Sequence, residues 1–267
     1  MRYGVIADIH GNLPALQATL RALRRLGVDR YACAGDLVGY GPFPNECVET
    51  VAALDPLCVA GNHDLIAIGR LTDANCIALA RESLRWTRRV LRDDVRAYLE
   101  SLPLRVDAES LVLAHGSLED PEEYTTGPEQ ADRQLAAVAQ TRPDARALVL
   151  GHTHRSWAYT QRAGPIAARR SVRLGDDGPL LLNPGAVGQA REVRVRARFL
   201  VVDLECGEAE FRSVPYDVAA CRGGLRRAGL PERSYHLPPK PLMQSLQRGR
   251  RIARLALAKG SRSRTIA

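Results

Sequence analysis

The sequence predicts an α/β fold whose strands are buried on both faces, and three features carry that reading. Short apolar runs recur along the chain at Tyr3–Ala7, Tyr31–Ala34, Leu57–Ala60, Leu111–Ala114, Ala147–Leu150 and Leu180–Leu182. Runs of 3 to 5 apolar residues bounded by glycine or polar residues suit strands covered on both sides. Each run also ends in a polar motif: Asp8-Ile9-His10, Gly35-Asp36, Gly61-Asn62-His63-Asp64, His115-Gly116, Gly151-His152-Thr153-His154 and Asn183-Pro184-Gly185. The gaps between runs carry helical periodicity, so strands and helices alternate. Side chains at the carboxyl ends of such strands converge on one sheet edge, where ligand sites of α/β proteins form.

The elements follow in order. Asn12 can cap a helix with Pro14 in its first turn; Leu13, Leu16, Leu20 and Leu23 follow at 3- and 4-residue spacing, and Gly27 can end it. A second helix is expected over Asn45–Leu54, capped by Asn45 after the turn Gly41-Pro42-Phe43-Pro44. Thr72–Leu102 reads as mostly helical, as one helix or two, with Trp86 in its third turn, and Glu129–Gln140 as another helix. Phe199–Leu204 and Glu210–Pro215 alternate like paired strands joined at Cys206-Gly207. Composition turns Arg- and Pro-rich near Tyr216–Cys221, dividing the chain into a domain over 1–220 and a basic extension over 221–267, in which Gln244–Ala258 has the pattern of a basic helix weakened by Gly249.

Composition narrows the classes. At 267 residues and 45% hydrophobic the chain can bury one large core, or a core and a small appendage. No run of about 18 apolar residues is present, which argues against a membrane span. Arg2–Ala7 is strand-like from the start, leaving no room for a signal peptide. The six cysteines form no CxxC pair and several lie inside apolar runs, so they read as small buried hydrophobes of a cytoplasmic protein. From Arg222 onward twelve Lys or Arg face a single acid, Glu232, so this tail carries +11 against +8 for the whole chain and the remainder is mildly acidic. Such a tail can hold nucleic acid or an acidic membrane surface by charge alone, or stand as a solvated extension. Arg outnumbers Lys 36 to 2, a bias that follows genome base composition rather than phosphate contacts.

Five of the six histidines sit in the polar motifs, beside Asp and Asn. Packing gives no reason to gather imidazoles at the ends of separate strands. Imidazole, carboxylate and amide oxygen without thiolate form a donor set for two borderline-to-hard divalent ions. Asp8 and His10, two residues apart, can reach one ion. Asp36, on a compact stem after Gly35, can bridge two ions about 3.5–4 Å apart, and Gly35 allows close backbone approach. Asn62 can give a carbonyl oxygen, His115 and His152 further nitrogens, and His154 can turn back to the first ion. His63 then stands as proton donor to a leaving group. Asp64 either orients His63 or is structural. His236, alone and outside any motif, reads as a surface residue.

Together these motifs resemble the calcineurin-like metallophosphoesterase superfamily over about residues 3–205. Asp8-Ile-His-Gly-Asn12, Gly39-Tyr-Gly-Pro42 and Asn183-Pro-Gly185 are similar to the small prokaryotic phosphoesterases of its diadenosine tetraphosphatase-like group. Tyr216-Asp217 and Gly229-Leu-Pro231 are also similar to it, which implies that the core continues past the composition boundary. The resemblance implies a four-layer α-β-β-α sandwich of two mixed sheets. It also implies one ion held by Asp8, His10, Asp36 and His154, and a second held by Asp36, Asn62, His115 and His152. Manganese is the first expectation, with iron, zinc, nickel and cobalt also used in the family. His63 matches the catalytic histidine, and Asn12 a substrate-binding position lining the pocket.

One departure bears on substrate. Protein serine/threonine phosphatases and symmetrical diadenosine tetraphosphatases follow Gly-Asp with Asp-Arg-Gly, whose Arg contacts substrate phosphate; here those positions read Gly39-Tyr40-Gly41. Tyr cannot replace a bidentate guanidinium, so the sequence favours a phosphodiesterase on small, nucleotide-type esters. Dinucleoside polyphosphates and phosphoproteins are the alternatives. A non-catalytic scaffold or a nucleic-acid-binding protein of the same fold is the reading from another class. The loops Leu118–Gly127 and Gln161–Gly178 are expected to set the substrate, and oligomerisation through the Pro-rich tail is open.

Overall fold

The computed structural model describes residues 1–166, 171–175 and 178–239. Its strands are β1 (Arg2–Ile6), β2 (Arg30–Cys33), β3 (Leu57–Cys58), β4 (Val106–Ala108), β5 (Leu111–Leu113), β6 (Ala147–Val149), β7 (Trp157–Thr160), β8 (Gly164–Ile166), β9 (Ser171–Arg173), β10 (Leu180–Asn183), β11 (Ala197–Asp203) and β12 (Glu208–Val214). The helices are α1 (Leu13–Arg25), α2 (Pro44–Ala52), α3 (Asn62–Ile68), α4 (Ala78–Val90), α5 (Asp93–Ser101), α6 (Pro128–Thr141) and α7 (Val218–Arg227). They assemble two six-stranded sheets, ordered β3-β2-β1-β11-β12-β9 and β4-β5-β6-β10-β7-β8. Both are mixed. β1, β2 and β3 run parallel in the first, as do β5, β6 and β10 in the second, while the remaining pairs are antiparallel.

Strand alternation builds the layers. Tyr3, Val5 and Ala7 face Leu111, Leu113, Ala147 and Val149 across a core between the sheets. Ile6, one step out of phase, points the other way and packs on Leu16, Leu20 and Leu23 of α1. Val112 and Leu148 likewise turn outward, onto Ala131, Leu135 and Val138 of α6. The result is the expected helix-sheet-sheet-helix sandwich.

Local chemistry accounts for the helix boundaries. Asn12 Oδ1 accepts from Ala15 N at 3.3 Å, Pro14 lies in the first turn, and Arg24 and Arg25 sit where the carbonyl dipoles of α1 end. α2 starts at Pro44 with Phe43 as its N-cap, rather than being capped by Asn45. The fixed φ of proline suits the first helical position, which frees Asn45 to tie α2 to the α4–α5 turn. Its amide donates to Val90 O at 2.8 Å and its oxygen accepts from Arg92 N at 3.1 Å. The long segment 72–102 contains two helices, α4 and α5. The hairpin β11–β12 turns at Cys206-Gly207, where Gly207 has φ +67°.

Residues 218–239 pack against this body. Cys221, Leu225 and Leu230 form a small core with Trp86 and Tyr216, and Leu237 N donates to Ala190 O at 3.0 Å. His236 is half-buried rather than on the surface, with Nε2 2.8 Å from Glu192 O. The expected basic helix Gln244–Ala258 lies outside the described residues. Among the described residues no helix is long and apolar enough to cross a membrane.

Candidate active site

The parallel strands of both sheets end at one edge of the sandwich, and the polar motifs that follow them meet there. His115 Nδ1 lies 2.6 Å from Ala34 O, and His152 N donates to Asp8 Oδ1 at 3.0 Å, so each sheet's loops are fastened to the other's. Asp8, His10, Asp36, Asn62, His63, His115, His152 and His154 are all buried. Two groups could hold a metal ion: Asp8, His10, Asp36 and His154, and Asp36, His115 and His152, each with its ligand atoms within 4.8 Å of one another. Asp36 belongs to both. Asn62 Oδ1, 3.2 Å from His115 Nε2, stands beside the second group.

The hydrogen bonds identify which ring nitrogens are free. His10 Nδ1 faces Val38 O at 3.1 Å, His115 Nδ1 faces Ala34 O, His154 Nδ1 faces Gln189 O at 2.8 Å, and His152 Nε2 faces Glu122 O at 3.1 Å. A carbonyl accepts only, so each of these nitrogens carries a proton, and in His10, His152 and His154, whose pKa burial lowers, the other ring nitrogen presents a lone pair. That is the outer arrangement of metal-bound histidines. Lone pairs then meet where His10 Nε2 lies 3.1 Å from His154 Nε2, while His115 Nε2 stands 3.2 Å from the Asn62 oxygen. Asp8 Oδ2 and Asp36 Oδ2 are buried without a hydrogen-bond partner, and Asp36 Oδ2 stands 3.5 Å from His10 Nε2 and 3.3 Å from His115 Nε2. Facing lone pairs and orphaned carboxylate oxygens are costly unless a cation sits among them. The residues fit divalent metal.

The charges gathered here oppose one another. Burial pushes the Asp8 carboxyl up to about 7 and holds His10 and His154 well below the ordinary imidazole value. Burial also disfavours a proton on His115, but the Asp36 and Asp8 carboxylates outweigh it and lift that ring to about 10.

The backbone here is held in an unfavourable conformation. Eight non-glycine residues have positive φ among the described residues, and six of them are Asp8, His10, Asp36, Tyr40, His152 and His154. Each such residue costs about 1–3 kcal/mol, and strain of this kind clusters at functional sites. Gly35, at φ +86°, brings its backbone so close that a Cβ would lie 2.6 Å from Gly61 N and 2.9 Å from His115 Nδ1.

His63 differs from the other four. Its Nδ1 is buried with no partner, its ring stacks on Tyr40 with centroids 4.8 Å apart, and burial pulls its pKa down to about 4. It belongs to neither metal group. Asp64 does not bond to it. Asp64 Oδ1 accepts from Leu37 N at 2.9 Å and Val38 N at 3.1 Å, and Oδ2 from Gly61 N at 3.0 Å. Of its two readings, the geometry is that of an anchor for the loops carrying Asp36 and His63. Asn12 does not line the cavity; besides capping α1, its amide donates to Gly188 O at 2.7 Å.

A cavity of about 550 Å³ opens over the metal groups, bounded by Asp36, Tyr40, Asn62, His63, His152 and His154 at its base and by Cys76, Ile77, Tyr124, Arg191 and Leu237 at its sides. Of the two loops expected to set the substrate, 118–127 contributes Asp120, Glu122 and Tyr124, whereas Gln161, Arg162, Ala163 and Gly178 line a separate pocket. Arg191 was illegible in the sequence, since one Arg among 36 carries no signal. Leu237 comes from a segment whose composition reads as a tail.

The calcineurin-like phosphoesterase superfamily domain model matches residues 1–207. The crystal structure of a metallophosphoesterase from Sphaerobacter thermophilus superposes with a TM-score of 0.77 at 34% identity, covering 88% of this chain and 96% of that one. An uncharacterised protein of Methanocaldococcus jannaschii is 30% identical over 234 residues, covering 85% of this chain and 93% of its own. A fructose-1,6-bisphosphatase class 3 of Lacticaseibacillus casei is 29% identical over 163 residues, which make up 58% of this chain and 23% of that protein. With the ligand geometry above, these matches establish that the chain belongs to the calcineurin-like phosphoesterase superfamily.

Proposed function

We propose that the chain is a two-metal phosphoester hydrolase in which His63 protonates the leaving group. The observation that carries this reading is the sharing of Asp36 between two ligand groups whose free nitrogens and oxygens point at each other. Two divalent ions in such groups polarise a phosphoryl oxygen and acidify water enough to supply a nucleophile near neutral pH. The protein's own contributions are more specific. A backbone carbonyl holds one ring nitrogen of each of four histidines, which orients the rings for the donor set. Asp36 Oδ1 accepts from His63 N at 2.8 Å, which fixes the catalytic ring relative to the bridging carboxylate. A ring whose pKa is pulled down to about 4 is neutral at pH 7. An anionic phosphate bound beside it supplies the negative charge that lets it take up and then deliver a proton.

Manganese suits this nitrogen-and-oxygen donor set, as do iron, zinc, nickel and cobalt. The reading is tested by stripping the protein of metal, reloading it with manganese and following hydrolysis of p-nitrophenyl phosphate and bis-p-nitrophenyl phosphate, with Asp36→Asn as control. Turnover that returns with metal and is absent in the variant supports it. Two bound ions with no turnover of either ester, or turnover that survives Asp36→Asn, contradicts it.

Tyr40 in place of an arginine is the ground on which the sequence favours a diester substrate. Arg191 in the same cavity removes that ground.

A further inference from the structure

Arg191 is a half-buried cation whose charge is left for the cavity to match. Its Nε donates to Gln189 Oε1 at 3.1 Å and its Nη1 to Tyr124 OH at 3.5 Å, both neutral groups. Among the described residues no carboxylate forms an ion pair with it, unlike Arg198, which pairs with Glu192, or Arg92, which pairs with Glu49 and Asp94. The acid whose charge reaches it is Asp8, which belongs to a metal group. A guanidinium withdrawn from water without an acidic partner is costly unless a ligand provides one.

The loop that presents Arg191 is built to hold it still. Gln189 Nε2 donates to Ser234 O at 3.3 Å, Ala190 N to Tyr235 O at 3.2 Å, and Leu237 N to Ala190 O at 3.0 Å. Gln189 O also fixes His154, so one turn of chain positions both a metal ligand and the guanidinium. Tyr124, the other partner of Arg191, packs against His152 with ring centroids 4.0 Å apart and planes tilted by 45°. The arginine is thereby tied to both metal groups through neighbours that do not compete for its charge.

We propose that Arg191 binds the substrate phosphate and selects a dianionic phosphate, a monoester or a terminal phosphate, over a diester; the proposal rests on the phosphoester hydrolase reading above. A monoester carries three non-bridging oxygens and two charges near neutral pH, whereas a diester carries two such oxygens and one charge. With oxygens drawn to the ions, only the monoester has a further charged oxygen for the guanidinium. The planar fork of Arg matches phosphate oxygens in a way that Lys does not.

The test compares full-length wild-type protein with Arg191→Ala and Arg191→Lys, each at matched manganese content. It measures kcat/KM for p-nitrophenyl phosphate and for bis-p-nitrophenyl phosphate, and the affinity for inorganic phosphate by calorimetry. Arg191→Ala is expected to lower monoester kcat/KM about 10- to 100-fold, the range of one lost charge-assisted hydrogen bond, with a diester loss below about threefold on the same reasoning. Phosphate affinity falls in parallel, and Arg191→Lys recovers little of either. Equal losses on both esters, or no monoester loss, overturn the proposal. Should metal-loaded wild type turn over neither ester, the hydrolase reading fails on its own account, and phosphate affinity then decides: tenfold weaker binding in the variants sustains the clamp, and unchanged binding overturns it. Arg191→Lys keeps the long stem and its charge, so a misfolded Arg191→Ala leaves the comparison intact.

Discussion

His63 carries the clearest consequence at the scale of single residues. It touches the base of the cavity but takes no part in the metal groups, so His63→Ala should retain bound metal and lose turnover. The expected loss is about 10²- to 10⁴-fold on an ester with a poor leaving group. It should be small on p-nitrophenyl phosphate, because nitrophenolate needs little protonation. Metal analysis with paired kinetics on alkyl and nitrophenyl esters checks this, and near-full rate on the alkyl ester contradicts the acid role. Gly39, at φ +85°, is the neighbour that gives His63 its room, since a Cβ there would lie 2.3 Å from His63 Nδ1. A second residue-scale prediction concerns pH. With Asp8 titrating at about 7 and His115 at about 10, an ion binding at pH 6 must displace a proton from each, and at pH 8 only from His115. Affinity should therefore rise with pH between 6 and 8, about tenfold per unit for each proton released. Manganese titrations at three pH values would show it, and a flat profile would contradict it. The residues that meet at the site were legible because each closes an apolar run with a residue that packing does not require. Asn12 misled for a physical reason: in sequence, a buried Asn after Gly11 looks the same whether its amide reaches a ligand or, as here, Gly188 O.

At the scale of elements, the period of the apolar pattern was the dependable signal. Leu16, Leu20 and Leu23 of α1 and the alternation of Tyr3, Val5 and Ala7 against Ile6 each sort residues onto one face, and the layers follow. Leu16 is fully buried under the first sheet, so Leu16→Ala should cost about 2–5 kcal/mol. A shifted urea midpoint with unchanged slope would register that loss, while a change below 0.5 kcal/mol, the scale of surface substitutions, would mean that α1 is not packed as described. Boundaries were less legible. Asn45 looked like a cap because Asn favours that position, yet Pro44 already fixes the first turn and Asn45 serves Val90 and Arg92 instead. Such long-range partners leave no local trace. The loop 117–125 is the same case: nothing in its sequence shows that Glu122 O will hold His152.

For the whole molecule, the two sheets place their parallel-strand ends on one edge, and that placement makes one site from motifs more than a hundred residues apart. The site also draws on residues beyond the matched 1–207, through Ser234, Tyr235 and Leu237. Composition suggested an appended tail from 221 because Arg and Pro dominate it, and composition does not reveal that Leu225 and Leu230 pack beneath Trp86. A chain ending at Pro239 should keep its turnover of small esters, whereas one ending at Pro231 loses the brace on Gln189 and should fall about 10- to 100-fold, as when support of a metal ligand is removed. Parallel kinetics on the two truncations decide between these outcomes. The charge of the residues after 239 leads to the expectation of weak, salt-dependent contact with nucleic acid, and a polynucleotide affinity that does not change with salt would dismiss it. The most direct test of the central claim is a manganese titration of the metal-stripped protein, read by calorimetry and elemental analysis beside Asp36→Asn. Two ions per chain in the wild type, with both weakened by the one substitution, is the result predicted from a shared bridging carboxylate. A single ion per chain, or a variant that binds two as tightly as the wild type, would contradict it.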